Sequence, residues 1–403
     1  MEKYLVKLPI DKEKIEKYMD VISKYAFAIG LFIELTIVLL DKSAYIIQYE
    51  GWWFRVTFLL FGLSLITTKR EAKQWIWFGI FAIIGFISYK ETGRNEILRW
   101  VVFIWSCYGK DMKKVLKYTF WYTVFGCAII TLFSIFGIYG EIARTEIYRA
   151  GPMGEGAIYE TRYCFGMGHP NAFHCMMLVI TWLGIYCYHE KLKWYGFALI
   201  GVFHIIVFLF TDSKTGLLMS IGTLSLVAIV KCWKKLQSSI WPYLLAIGVM
   251  ATCIYLSVLM AKYCVNLPIL AKLDGYLTGR IFSLWNTTNN EGMLHTWSLW
   301  SESRNSYYFD LGIVRFFYWF GIIPGIIYFI AQCRLLWCSY KRNDYMLAVI
   351  ITVITIYTVF EAHFVSDYMG RNYILFFFGM YLSDMIGVGQ KNKSDVSKMK
   401  MIK

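Results

Sequence analysis

The sequence predicts an all-α, polytopic membrane fold with about twelve transmembrane helices. Three observations predict it. First, 58% of the 403 residues are hydrophobic and 17% are charged, whereas a soluble domain is about half apolar with about a quarter charged. Mean hydropathy is +0.49. Second, long apolar runs recur along the chain, separated by short polar stretches. Third, Lys and Arg alternate in density from one stretch to the next, as they do when a chain crosses a membrane repeatedly.

The runs lie near 21–40, 51–67, 75–90, 96–108, 118–139, 166–188, 196–211, 213–230, 240–260, 310–331, 345–361 and 372–388. All are expected to be helices, because unpaired backbone cannot face lipid. With the N-terminus inside, the inner segments carry 25 Lys and Arg and the outer segments 12. The expected organisation is a cytoplasmic basic segment at 1–20, one transmembrane domain at 21–388 and a cytoplasmic Lys-rich tail at 389–403. No cleavable leader is read in the first twenty residues. The outer loops 140–165 and 261–309 are large, which places the functional weight on the outer face. The net charge of +14 then calls for no nucleic-acid partner, since basic tails suit anionic membrane lipids. Ten cysteines show no CxxC pair and no regular spacing, so they read as small buried hydrophobes.

Arg144, Arg149, Arg162, Arg280, Arg304 and Arg371 fall in outer loops, Lys214 in a tight turn, and Arg99 and Arg315 about a turn inside their spans. A charge within a span costs about 2.5–3.5 kcal/mol, so these groups need partners or a wet cavity. Together they point to an anionic ligand, which Arg binds through two parallel hydrogen bonds; snorkelling or pairing with local acids is the alternative for each. Asp212 and Lys214 flank one turn and are placed to pair. Asp310 begins a span and Glu361 ends one. Glu34 lies deeper, where an ion pair with Arg55 and a role in turnover stand as equal alternatives.

Residues 162–174, RYCFGMGHPNAFH, open an apolar run with an Arg, two Gly, two His and a Pro. Pro favours the first position of a helix, so His169-Pro170-Asn171 reads as a helix start. TDSKTG at 211–216 reads as a second, with Ser213, Lys214 and Thr215. Helix starts offer free N–H groups and a positive dipole end to phosphate. His169 and His174 are five apart and do not share a helix face. A zinc pair needs other spacing and a third ligand, so no metal site is expected. His169 is left with two readings, a helix cap or a base.

These stretches resemble Wzy-type bacterial polysaccharide polymerases. RYCFGMGHPNAF is similar to their Arg…GHPN stretch, and TDSKTGLL to the SRTGLL turn they share with O-antigen ligases, with Lys214 where Arg is commoner. LTGRIFSLW ahead of FDLGIVRFFYWFGIIPG matches their outer-loop layout. The resemblance implies a GT-C-like, metal-independent glycosyltransferase without cofactor. It would join undecaprenyl-pyrophosphate-linked repeat units into capsular or exopolysaccharide at the outer face of the bacterial membrane. On that reading Arg280 with Arg162 and Lys214 meets the leaving pyrophosphate, and His169, or else Asp310, takes the acceptor proton. Arg149, Asn171, Ser213, Tyr163 and Arg315 complete the expected binding set. Tyr276, Trp285, Trp297, Trp300, Tyr307 and Tyr308 either stack on sugars or form an interfacial belt. A chain-length regulator and a flippase of the same pathway are the protein partners that reading adds. The alternatives are a glycan ligase of the same chemistry and a lipid-linked oligosaccharide transporter. The last is disfavoured by the absence of two recognisable internal halves.

Overall fold

A computed structural model describes residues 12–149, 158–277, 279–287, 292, 297–302, 307 and 309–387. The fold is largely helical, and eight helices among these residues are long and apolar enough to cross a membrane. The chain begins with α1 (Lys12–Lys42), α2 (Glu50–Thr67), α3 (Ala72–Thr92), α4 (Glu96–Ser106) and α5 (Met112–Ile135). After a hairpin come α6 (Pro170–Tyr188), α7 (Trp194–Thr211), α8 (Lys214–Cys232), the single turn α9 (Lys234–Gln237) and α10 (Trp241–Tyr263). The second half has α11 (Pro268–Tyr276), α12 (Arg280–Thr287), α13 (Gly312–Phe320), α14 (Ile322–Lys341), α15 (Tyr345–Phe360) and α16 (Ile374–Met385). The eight long helices are α1, α3, α5, α6, α7, α8, α10 and α14; α15 and α16 are shorter and apolar.

Burial separates two classes of helix. In α13, α15 and α16 most residues are buried. On α3 and α7 large apolar side chains such as Ile76, Phe86, Leu199 and Leu209 remain exposed. A helix that is apolar all round and uncovered suits lipid rather than water, consistent with a polytopic membrane protein. At the centre, α15 packs against α6, α8, α10, α13 and α14. Its threonines do not break the apolar surround, because the hydroxyls of Thr352, Thr355 and Thr358 donate to the carbonyls of Ala348, Ile351 and Ile354 at 2.7–2.8 Å.

Two expectations are corrected, and one loop gains internal structure. The run 310–331 is two helices, and α14 continues through most of the stretch read as an inner loop at 332–344. The break is Gly321, at φ 92°, where a Cβ would lie 2.7 Å from backbone of Trp300 and Ser301. There Ile322 donates its N–H to the Ser298 carbonyl at 2.9 Å, so loop backbone replaces the helical partner. The large loop at 140–165 folds into an antiparallel hairpin, β1 (Ala143–Arg149) and β2 (Ile158–Tyr163), with Arg144 opposite Arg162 and a Thr145–Thr161 hydroxyl pair at 2.9 Å. Finally, buried Glu34 pairs with Arg99 at 3.4 Å and accepts from Thr57 at 2.6 Å. Arg55 instead lies over the Trp52 ring, 5.2 Å from its centre.

The hairpin, α11, α12 and the ends of α7 and α15 gather at one end of the bundle, called the loop-rich end. The turns 107–111, 189–193 and 342–344 lie at the opposite end. Near the loop-rich end, α6 and α8 meet where a Cβ on Gly216 would stand 2.4–2.7 Å from the His174 ring. Gly216→Ala should therefore cost about 1–3 kcal/mol through overpacking. A clear fall in the thermal midpoint of the detergent-solubilised protein is the expected result; an unchanged midpoint would show that this contact has room to give.

Candidate functional site

Arg280 is the first residue of α12. Asp274, six residues earlier and buried, accepts the N–H groups of Ile281 at 2.7 Å and Phe282 at 3.4 Å. That cap fixes where the helix begins and so where Arg280 stands. Burial raises the Asp274 carboxyl, with those N–H groups opposing.

From there the Arg280 guanidinium reaches three other segments. It donates to the Glu361 carboxylate at the end of α15, lies 3.4 Å from the Asp310 carboxylate, and donates to the Thr215 hydroxyl at 3.2 Å. The Arg280 and Glu361 side chains are 10% and 15% exposed, against 43% for Asp310. Burial alone would lower Arg280, but Glu361 and Asp310 outweigh it and raise it. Burial also pushes the Glu361 carboxyl up, with Arg280 opposing. The guanidinium thus stays charged, and the carboxyl is the member of the pair that gains a proton first.

Arg162 grips the other side of the same turn. It is buried, donates through Nε to the Thr211 carbonyl at 2.7 Å, and through Nη2 to the Asn171 side-chain oxygen at 2.9 Å. Two arginines therefore bracket TDSKTG, Arg162 at Thr211 and Arg280 at Thr215. Between them Asp212 ends α7 in the left-handed region at φ 43°, and Ser213 is buried at the start of α8. Lys214 is exposed, and the possible pairing with Asp212 is not found among the ion pairs of the described residues.

His169 is the N-cap of α6, with Pro170 at the first helical position as the sequence predicts. Its Nδ1 accepts the Asn171 N–H at 3.1 Å. A neutral imidazole that accepts at Nδ1 carries its proton on Nε2. Of the two readings of His169, the cap is the one this contact describes. His174 does point elsewhere. Its Nε2 lies 3.2 Å from His204 Nδ1, whose Nε2 lies 2.8 Å from the Thr181 hydroxyl. The Thr211 hydroxyl donates to the Val207 carbonyl at 2.9 Å and lies 3.4 Å from His174 Nδ1. One arrangement satisfies every member, in which Thr181 donates to His204, His204 to His174 and His174 to Thr211, with both rings protonated at Nδ1.

The remaining candidates are placed as follows. Tyr163 stacks on Phe165 and meets the Phe210 edge, with ring centres 5.6 and 5.3 Å apart. Arg315 is fully buried and donates to the Phe309 carbonyl, which holds the backbone next to Asp310 rather than reaching Arg280. The side chain of Arg149 and residues Arg304 and Tyr308 lie outside the described residues. Four arginines among the described residues are compensated by acids. Arg94 pairs with Asp367, Arg99 with Glu34, Arg144 with Glu141 and Arg371 with Asp41. Trp285 donates to the Met260 carbonyl at 3.1 Å and Trp297 packs on Phe317, ring centres 4.9 Å apart. Tyr276 and Tyr307 are exposed.

Two groups here carry no expected role in the sequence reading. Lys42, at the end of α1, is half-buried and acts electrostatically on both Glu361 and His363. His363 follows Glu361 by two, and both of its ring nitrogens are buried without a hydrogen-bond partner. Burial, with Lys42 adding, holds its pKa well below the ordinary value. The available signal was a Glu and a His together at the end of a sixteen-residue apolar helix. Among the described residues no three of His, Cys, Asp and Glu gather as a group that could hold a metal ion.

No family model, curated protein or solved structure matches the chain.

Two stability tests follow from this geometry. Glu361→Gln should destabilise the purified protein by about 1–3 kcal/mol, the cost of a buried charged hydrogen bond, and Asp310→Asn by clearly less because its carboxylate is wetter. Equal losses in thermal unfolding would show that burial does not rank the two contacts. His169→Ala should cost about 1 kcal/mol and His169→Asn much less, since Asn restores a cap acceptor; equal midpoints for the two variants would remove the capping role.

Proposed function

We propose that this chain is a polysaccharide polymerase of the bacterial cell membrane. It would be a GT-C-like glycosyltransferase with about twelve crossings, both termini cytoplasmic and the loop-rich end facing outward. It would join undecaprenyl-pyrophosphate-linked repeat units. The observation that carries the proposal is the meeting of Arg280 with the first turn of α8 at Thr215, one residue from exposed Lys214, beside the carboxylates of Asp310 and Glu361. The sequence resemblance to the Arg…GHPN and SRTGLL stretches supports it, and so does the excess of Lys and Arg at the opposite end.

Each residue has a defined task in such a transfer. The bond from the anomeric carbon to the pyrophosphate oxygen breaks, and its electron pair leaves with the phosphate. Lys214, the free N–H groups of the first turn of α8, and Arg280 through a swap of one carboxylate for phosphate would meet that charge. The acceptor hydroxyl oxygen forms the new bond to the anomeric carbon. Its proton goes to Asp310, the more exposed carboxylate on Arg280. Arg162 and the Thr181–His204–His174–Thr211 chain would keep the turn in position.

Purified protein given a lipid-linked repeat unit in detergent should produce a ladder of longer glycans with release of lipid pyrophosphate. Arg280→Ala should abolish the ladder, and Lys214→Gln, on an exposed side chain, should slow it about tenfold or more. Transfer of the glycan to a single foreign acceptor would favour a ligase. Movement of the unit across a bilayer without new bonds, or normal ladders from folded Lys214→Gln and Arg280→Ala, would overturn the proposal.

A further inference from the structure

At the opposite end of the bundle lies a cavity of about 590 Å³, within the range of small-ligand sites. Its walls come from the α4–α5 turn, the end of α6, the α14–α15 turn and one face of α16. Nothing in the proposed transfer uses it.

Its acids are largely spent on internal contacts. Asp344 accepts the hydroxyls of Tyr186 and Tyr381, both at 2.7 Å, and caps α15 through the Leu347 N–H at 3.2 Å. Asp111 caps α5 and pairs with Lys114 at 3.5 Å. Arg342 is taken by Asp384 at 2.6 Å. What remains on the lining is Lys110, Lys113, Lys117 and Lys191 against the single carboxylate of Glu190. No ion pair joins any of these lysines to a carboxylate among the described residues. Lys117 lies over the Tyr188 ring, 5.8 Å from its centre, rather than beside an acid. Lys110 is the most telling of the four. Its ammonium donates to the Ser23 hydroxyl, and burial pulls it down to about 8. The acid that acts on it, Asp20, is already paired with Lys24 at 2.6 Å, so this half-buried cation is only partly compensated.

We infer that this cavity is an anion site that takes a phosphoryl group, ringed by Lys110, Lys113, Lys117 and Lys191. Four ammonium groups are compact, strongly hydrated point charges, suited to a phosphate that keeps part of its water. The group arrives either on a soluble phosphate or on the headgroup of an anionic lipid. Both present the same chemistry to the lysines.

The test uses the full chain in phosphatidylcholine nanodiscs. One arm titrates radiolabelled inorganic pyrophosphate. The other adds phosphatidylglycerol to the discs and counts retained lipid by native mass spectrometry. The triple variant Lys113→Gln/Lys117→Gln/Lys191→Gln changes only exposed side chains, and Lys110→Gln is made separately. Each should weaken binding of at least one probe about tenfold or more, and raised salt should do the same to the wild type. Loss in the first arm identifies a soluble phosphate, and loss in the second a lipid headgroup. Lys214→Gln, at the other end, is the control. The inference is overturned if neither probe binds saturably, or if both variants bind both probes as the wild type does. It is likewise overturned if the bound pyrophosphate is lost in Lys214→Gln alone and no phosphatidylglycerol is retained.

Discussion

A buried guanidinium organises the loop-rich end. Arg280 opens a short helix that buries Ile281 and Leu284 against α10 and α11. Glu361, Asp310 and Thr215 come from three other places in the chain, and the cation is what they share. In a low-dielectric setting such a charge is costly alone and favourable only when surrounded. The consequence is geometric. The end of α15, the approach to α13, the start of α8 and α12 are held at one point, and the turn between α7 and α8 inherits that rigidity from one side and Arg162 from the other.

The same logic of satisfying polar groups without water runs through the interior. The central α15 is lined with threonines whose hydroxyls bond back to their own helix, and the two stacked histidines complete each other between threonines. Each arrangement is closed, with donors and acceptors matched. His363, two residues beyond Glu361, has neither ring nitrogen engaged, and the buried hydroxyls of Tyr243 and Tyr373 share that condition.

Much of this was legible in the sequence where one local rule decides. Pro170 marks the first residue of α6 and Ser213-Lys214 the start of α8, because proline chemistry and turn composition act within a few residues. The long apolar helices follow from composition and length. Partner choice was not legible. Glu34 bonds Arg99 rather than Arg55 because helix rotation and tilt decide which cation faces it, and neither is written in spacing. The break at Gly321 was hidden in an unbroken apolar run, since its cause is loop backbone brought in from Ser298–Ser301. Arginine count alone suggested a free cationic patch; the acids that neutralise most of it lie tens to hundreds of positions away. Lys42 and Glu361 were visible as loop and span-end residues, but their closeness to each other is tertiary.

The Arg280–Glu361 contact also sets an order of assembly. The two residues are 81 positions apart, so at about 5–20 residues per second a ribosome makes the arginine roughly 4–16 s before its buried partner. Throughout that interval the nascent chain carries a cation whose final environment does not exist. It waits in water or among headgroups, with Asp310 as the first counter-charge to emerge. The four segments close only after α15 has been inserted. A chain ending anywhere before Glu361 therefore lacks the more buried of the two carboxylates that hold the arginine in the finished protein.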